Sequence, residues 1–230
     1  AFDVMGDIIL STAAQQYGGF TVPEVDKILS PYAQKSYNKY YEEFLKYSDP
    51  SWEGREEKGR VYALEKVCRD CDQGWQGIEY KLNTVGSSRG DYPFVTVTLG
   101  LGTGRFEKMI SKSLLKVHMG GQGKAGHKKP VLFPKIVFLY DEEIHGDGKE
   151  CEDVFEAGVA CSAKTMYPDW LSMSGEGYIA EMYKKYKRVI SPMGCRAFLS
   201  PWYERGGMEP ADENDKPVFV GRFNIGAVSL

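Results

Sequence analysis

The stretch "FVTVTLGLGTGRFEKMISKSLLKV" (Phe94–Val117) sets a strand pattern directly before a helix pattern. Phe94 to Leu101 is a short apolar run rich in Val and Thr, and it reads as a buried strand. A helix follows from about Phe106 to Val117. Between them, "LGLGTGR" (Leu99–Arg105) occupies the place where phosphate-binding loops sit. Arg105 stands where the dinucleotide fingerprint needs its third glycine, and a tight strand-to-helix turn accounts for the glycines equally well.

The same alternation continues downstream. "VLFPKIVFLY" (Val131–Tyr140) reads as a second strand, Val154–Met166 and Gly177–Val189 as helices, and "KPVFVGRFNIGAVSL" (Lys216–Leu230) as a further strand candidate. Strands that alternate with helices imply an α/β fold with a mostly parallel sheet, open or closed into a barrel. Upstream the chain is helical. Phe2, Met5, Ile9 and Ala13 trace a buried helix stopped at Gly18 and Gly19, and a tyrosine-rich helix covers Ala33–Tyr47. Val61, Leu64, Cys68, Cys71, Trp75, Ile78 and Leu82 then step by threes and fours along one long helix, a seam that requires a helical partner in this chain or in a second subunit. Residues 1–85 are thus mainly helical and 86–230 alternate, within a single unit of 230 residues.

Composition excludes several classes. The 29 Lys and Arg against 32 Asp and Glu leave a net charge of -3, so no global basic field draws in nucleic acid. No apolar run approaches a membrane span, and no signal peptide is evident. Five cysteines cannot form a complete disulfide set, which points to a reducing cytoplasm. The chain opens in mid-helix pattern and stops inside an apolar run, so it reads as a piece of something longer.

Several constellations have ordinary readings beside chemical ones. "CRDC" (Cys68–Cys71) has redox-pair spacing but lies on the helical seam and lacks a second ligand pair, so a packing role is expected and no metal site. "GGQGKAGHKK" (Gly120–Lys129) departs from P-loop order and reads as a surface loop. "NTVGSSRGDYPF" (Asn83–Phe94) either cradles a phosphate, through Ser88 and Arg89, or is a plain polar connection. His118, His127 and His145 are expected to be solvated loop histidines. Cys195 stands apart. It belongs to no helical period, and "MGCR" between Pro192 and Pro201 reads as an ordered loop in which Gly194 permits close approach of a ligand.

"SPMGCRAFLSPWYE" (Ser191–Glu204) followed by "VFVGRFNIGAVSL" (Val218–Leu230) resembles the core of the anaerobic, class III ribonucleotide reductases. The resemblance extends through "MYPDW", "LFPKIVF", "EYKLNTVGSSRGDYPF" and "QQYGGFTVPEVD", so it covers nearly the whole chain. It implies part of the ten-stranded α/β barrel of ribonucleotide reductases and glycyl-radical enzymes, with helical flanks and a finger loop near residues 190–205. It also implies reduction of ribonucleoside triphosphates to deoxyribonucleotides, with Cys195 as the thiyl-radical residue and Asn224 placing the reductant, formate, and the sugar hydroxyls. The reading requires Arg196 to turn from the sulfur toward a carboxylate or phosphate; Arg196, Ser88 and Arg89 are candidate contacts for substrate or effector. By the same resemblance the glycyl radical, raised by an S-adenosylmethionine iron–sulfur activating enzyme, and a zinc site lie outside this sequence, which alone is expected to be inactive. ATP and deoxynucleotide effectors and a homodimer are the further implied partners, the helix of the 61–82 seam being the candidate pairing element. The competing readings are another glycyl-radical enzyme core, or a non-catalytic nucleotide-binding or dimerisation module.

Overall fold

The structure, a computed structural model, describes residues 1–16, 18–86, 90–193, 196, 198 and 202–220. Along the chain run α1 (Phe2–Gln15), β1 (Phe20–Val22), α2 (Val25–Tyr47), α3 (Arg55–Thr84), β2 (Val95–Leu99), α4 (Arg105–Gly120) and β3 (Lys135–Tyr140). They are followed by α5 (Glu142–His145), α6 (Glu152–Thr165), β4 (Asp169–Ser172), α7 (Tyr178–Tyr186), β5 (Trp202–Tyr203) and β6 (Pro217–Val218). Strands β1 to β4 form one parallel sheet in chain order, and β5 pairs antiparallel with β6. The α/β alternation is therefore present. Among the described residues the parallel sheet is four strands wide, and a ten-stranded barrel is not seen in them.

The sheet has two unlike faces. Val95, Val97, Leu99, Ile136 and Phe138 share one core with residues of α1, α2, α3, α4 and α6. On the other face Val137 and Leu139 meet Met173, Val189 and the α7 residues Ile179 and Tyr183. A helical layer thus backs one side, and α7 with the chain leading out of it covers part of the other. The hydrophilic insert "ERGGMEPADENDK" (Glu204–Lys216) is the largely exposed loop between β5 and β6, tied by Asp215, which accepts from the Arg205 and Ala211 amides.

Two sequence expectations need correction on the helices. Helix α2 starts eight residues before Ala33 and runs through Pro31. A proline there forfeits one backbone hydrogen bond, which buried Val25, Asp26 and Leu29 offset by anchoring the first turns. The seam of α3 is also not a single stripe. Its buried residues are Gly59, Ala63, Val67, Cys71, Trp75, Ile78, Glu79 and Leu82, whereas Val61 is 48% exposed. Steps averaging 3.5 residues drift around a 3.6-residue helix, so the first half of the apparent seam turns away from the contact. The buried stripe packs against α1, α2 and α4 of the same chain, so its partner is internal and not a second subunit. Cys71 lies in that core as a free thiol, pushed up to about 12 by burial, with Cys68 beside it only half-buried.

The carboxyl ends of the strands are held by buried polar ties. Asp26, fully buried, accepts from the amides of Gly100 at 3.0 Å and Gly102 at 3.2 Å and from Ser111 Oγ at 3.3 Å. Burial raises its carboxyl against the pull of those amides. Gly104 N donates to Glu107 Oε2 at 2.8 Å. The amides of "LGLGTGR" are therefore engaged by carboxylates of the chain itself, and the stretch is a strand-to-helix turn. Gly100 has φ +119°, and a Cβ there would lie 2.9 Å from the Leu139 carbonyl oxygen. Its own carbonyl accepts from His145 Nε2 at 2.8 Å, while His145 Nδ1 accepts from the Asp141 amide at 3.0 Å. Nδ1 also lies 3.0 Å from the Asp141 carbonyl oxygen, and burial is what favours the neutral imidazole.

His145 and His118, 1% and 2% exposed, overturn the expectation of solvated loop histidines. His118 lies in α4 with Nδ1 2.9 Å from buried Glu79 of α3; only His127 is exposed, in the loop after α4. Residues 123–130 are exposed, as a surface loop requires.

Replacing Trp75, fully buried and donating to the Ile110 carbonyl, with Ala is expected to cost about 3–5 kcal/mol. Val61→Ala is expected to stay within about 0.5 kcal/mol; denaturant unfolding of both variants measures the difference.

Burial holds the His145 imidazole below its ordinary value of 6.5. The unfolded chain therefore takes up its proton first, and the histidine's contribution to stability falls as pH drops below that value. His145→Gln is expected to be less stable by about 1–3 kcal/mol at neutral pH. Unfolding titrations should show the gap narrowing as the pH is lowered to about 5.5.

Candidate functional site

Register fixes which side chains share the face opposite the helical layer. Thr21 of β1 pairs with Thr96 of β2, and Thr96 with Lys135 of β3. One row on, Thr98 pairs with Val137, and Val137 with Asp169 of β4. Successive residues of a strand point to opposite faces, so Thr21, Thr96, Thr98, Lys135 and Asp169 stand together on this side. These polar side chains share their side of the sheet with apolar Val137 and Leu139, whereas the side facing the helices is apolar.

The segment after α7 lies across that surface. Thr21 Oγ1 donates to the Pro192 carbonyl at 2.6 Å, and Thr98 Oγ1 is 3.5 Å from Ser191 Oγ. Thr98 Oγ1 also accepts from the Glu24 amide at 2.8 Å, which ties the start of α2 to the same strand. Ile190, Pro192 and Met193 are buried. The Arg196 amide donates to the Met193 carbonyl at 2.8 Å. The Arg196 guanidinium reaches Asp169 Oδ2 through Nε at 2.6 Å and through Nη2. Thr21 of β1 and Asp169 of β4 therefore bond Pro192 and Arg196, and Thr98 of β2 lies beside Ser191.

Two more groups face this side. Thr96 Oγ1 is buried with no hydrogen-bond partner among the described residues. Lys135 Nζ donates to Tyr167 Oη at 2.5 Å and lies 4.8 Å from the centroid of that ring and 5.6 Å from that of Phe133. Aromatic faces favour a cation at such distances.

Of the residues singled out from sequence, Cys195, Asn224, Ser88 and Arg89 lie outside the described residues. Arg196 is described, and its guanidinium meets a carboxylate. Near Ser88 and Arg89, the Asn83 side chain donates to the Glu79 and Phe133 carbonyls and accepts from the Leu132 and Phe133 amides, fixing the end of α3 to the approach of β3. Thr21, Thr98 and Asp169 were not singled out. The alternating Val and Thr of "VTVTL" are the one signal that could have found Thr98; nothing local marks Asp169. Among the described residues no group of three or more His, Cys, Asp or Glu side chains could hold a metal ion. Among the described residues no helix is long and apolar enough to cross a membrane. A groove of about 650 Å³ between α1, α2 and α3, lined by Phe2, Leu29, Tyr32, Lys35, Lys39 and Gly74, lies in the helical region.

A family model described as "Anaerobic ribonucleoside-triphosphate reductase" matches residues 1–230. The chain is 36% identical over 229 residues to the anaerobic ribonucleoside-triphosphate reductase of Enterobacteria phage T4, covering 99% of this chain and 34% of that protein. The proteins of the same name from Haemophilus influenzae and Escherichia coli K12 are 35% and 32% identical over 228 residues, again 99% of this chain but 29% of theirs. The chain thus spans about a third or less of the length of these curated relatives. With its whole length matched by the family model, this chain belongs to the anaerobic ribonucleoside-triphosphate reductase family.

Proposed function

We propose that this chain is part of the catalytic core of an anaerobic reductase that converts ribonucleoside triphosphates to deoxyribonucleoside triphosphates, with Cys195 as its hydrogen-atom carrier. The observation that supports this most is that Pro192 and Arg196, on either side of Cys195 in sequence, bond Thr21 and Asp169 of the sheet in a chain matched end to end by the family. The four parallel strands are then an arc of a ten-stranded barrel. The segment is its finger loop.

Hydrogen-atom transfer sets definite demands on such a loop. The sulfur has to carry its hydrogen, which a dry pocket favours and an adjacent cation opposes. Arg196 meets that demand by engaging Asp169. The glycyl radical, outside these 230 residues and raised by an S-adenosylmethionine iron–sulfur activating enzyme, supplies the oxidant that takes the hydrogen from the Cys195 thiol. Cys195 then takes the ribose 3′ hydrogen and later returns it. Asn224 orients the sugar hydroxyls and formate, the reductant. Effector nucleotides and a second subunit are assigned to the helical region, residues 1–85, and the zinc site to the rest of the enzyme. Without those parts the 230 residues alone do not turn over.

In the full-length, activated enzyme Cys195→Ser is expected to abolish deoxynucleotide formation while glycyl radical still forms, since an O–H bond is too strong for that radical to break. Asn224→Ala should be milder, losing hydrogen bonds worth roughly 0.5–1.5 kcal/mol each. Electron paramagnetic resonance beside product assay reads both, and retained turnover in Cys195→Ser would overturn the assignment.

A further inference from the structure

We infer that Thr96 of β2 and Lys135 of β3 form a binding site for an oxyanion, a carboxylate or a phosphate group, on the side of the sheet away from the helical layer. Thr96 is fully buried, yet its Oγ1 has no hydrogen-bond partner among the described residues. A buried hydroxyl left unmatched is costly, and such a group in a folded protein calls for a partner. Lys135 adds the complementary half. Its ammonium lies 6.0, 5.6 and 4.8 Å from the ring centroids of Phe94, Phe133 and Tyr167, and it donates to Tyr167 Oη at 2.5 Å. An ammonium has three protons to donate, and among the described residues no carboxylate lies within ion-pair distance of this one. The rings fix the cation and leave its charge unneutralised.

Register joins the two halves. Thr96 and Lys135 are direct partners across β2 and β3, so their side chains leave the same side of the sheet from strands about 4.8 Å apart. Two oxygens of one carboxylate or phosphate span that separation, one accepting from the ammonium and the other from the hydroxyl. The choice of ligand rests on the reading of the chain as a reductase core, which supplies two oxyanions: formate and the phosphates of the substrate.

The test starts from the full-length protein without its radical, titrated with sodium formate and with inorganic phosphate against chloride at equal ionic strength. One of the two anions is expected to raise the thermal midpoint of the parent, and Lys135→Met and Thr96→Val to abolish that rise. In the activated enzyme Lys135→Met should raise the KM of the matching ligand roughly 10- to 100-fold and Thr96→Val roughly 3- to 10-fold, with kcat within about threefold of the parent. A rise confined to formate identifies the carboxylate, and one confined to the ribonucleoside triphosphate identifies a phosphate. Lys135→Arg, which keeps the charge, should recover most of the affinity. Thr96→Val decides the matter where Lys135→Met fails to fold, because valine keeps the shape and the strand preference and removes only the unmatched hydroxyl. A Thr96→Val protein as stable as the parent, with the parent's KM values and anion response, overturns the inference. So does Lys135→Met with both KM values unchanged. An active Cys195→Ser would remove the functional reading but leave the anion titration standing, so the two failures are told apart.

Discussion

The two-residue period of a β-strand is the constraint on which the arrangement depends. In "VTVTL" of β2 it sends Val95, Val97 and Leu99 into the helical layer and Thr96 and Thr98 to the opposite side. Parallel pairing then carries the same division onto β1, β3 and β4, so Thr21, Lys135 and Asp169 come to the same side. A one-residue slip of any of these strands would exchange the two sets and remove its contact to the loop. Apolar burial against α2, α3, α4 and α6 makes such a slip costly. The core thereby holds the polar surface in place.

Where the strands end, the work passes to buried hydrogen bonds. Gly100 is gripped on both sides, its amide by Asp26 and its carbonyl by His145. Leaving either buried partner unmatched costs about 1–3 kcal/mol. These buried bonds set the backbone at the carboxyl edge of the strands. Glu79 and His118 play the buried role between α3 and α4, with Gln122 donating to the second Glu79 oxygen.

Much of this was legible in the residues. The strand and helix of Phe94–Val117 appear as β2 and α4, and "VLFPKIVFLY" contains β3. Strands β1 and β4 have three and four residues, too few to show a period, and they exist through pairing with β2 and β3. The α3 seam misled because a seven-residue pattern drifts on a straight helix. The histidines misled because local polarity says nothing of a partner such as Glu79, 39 positions before His118. "MGCR" pointed to the loop, but not to what holds it: Thr21 lies 171 positions from Pro192, and Asp169 27 positions from Arg196.

The central claim is that Thr21 and Asp169 of the sheet hold the chain at Pro192 and at Arg196. Amide hydrogen exchange in the full-length protein, comparing the parent with the double substitution Thr21→Val and Asp169→Asn, tests it most directly. The account predicts that the peptide containing the Arg196 amide, bonded to the Met193 carbonyl at 2.8 Å, is protected in the parent. It should exchange markedly faster in the variant, while peptides of α3 and α4 keep their protection. Equal exchange of that peptide in both proteins would contradict the account.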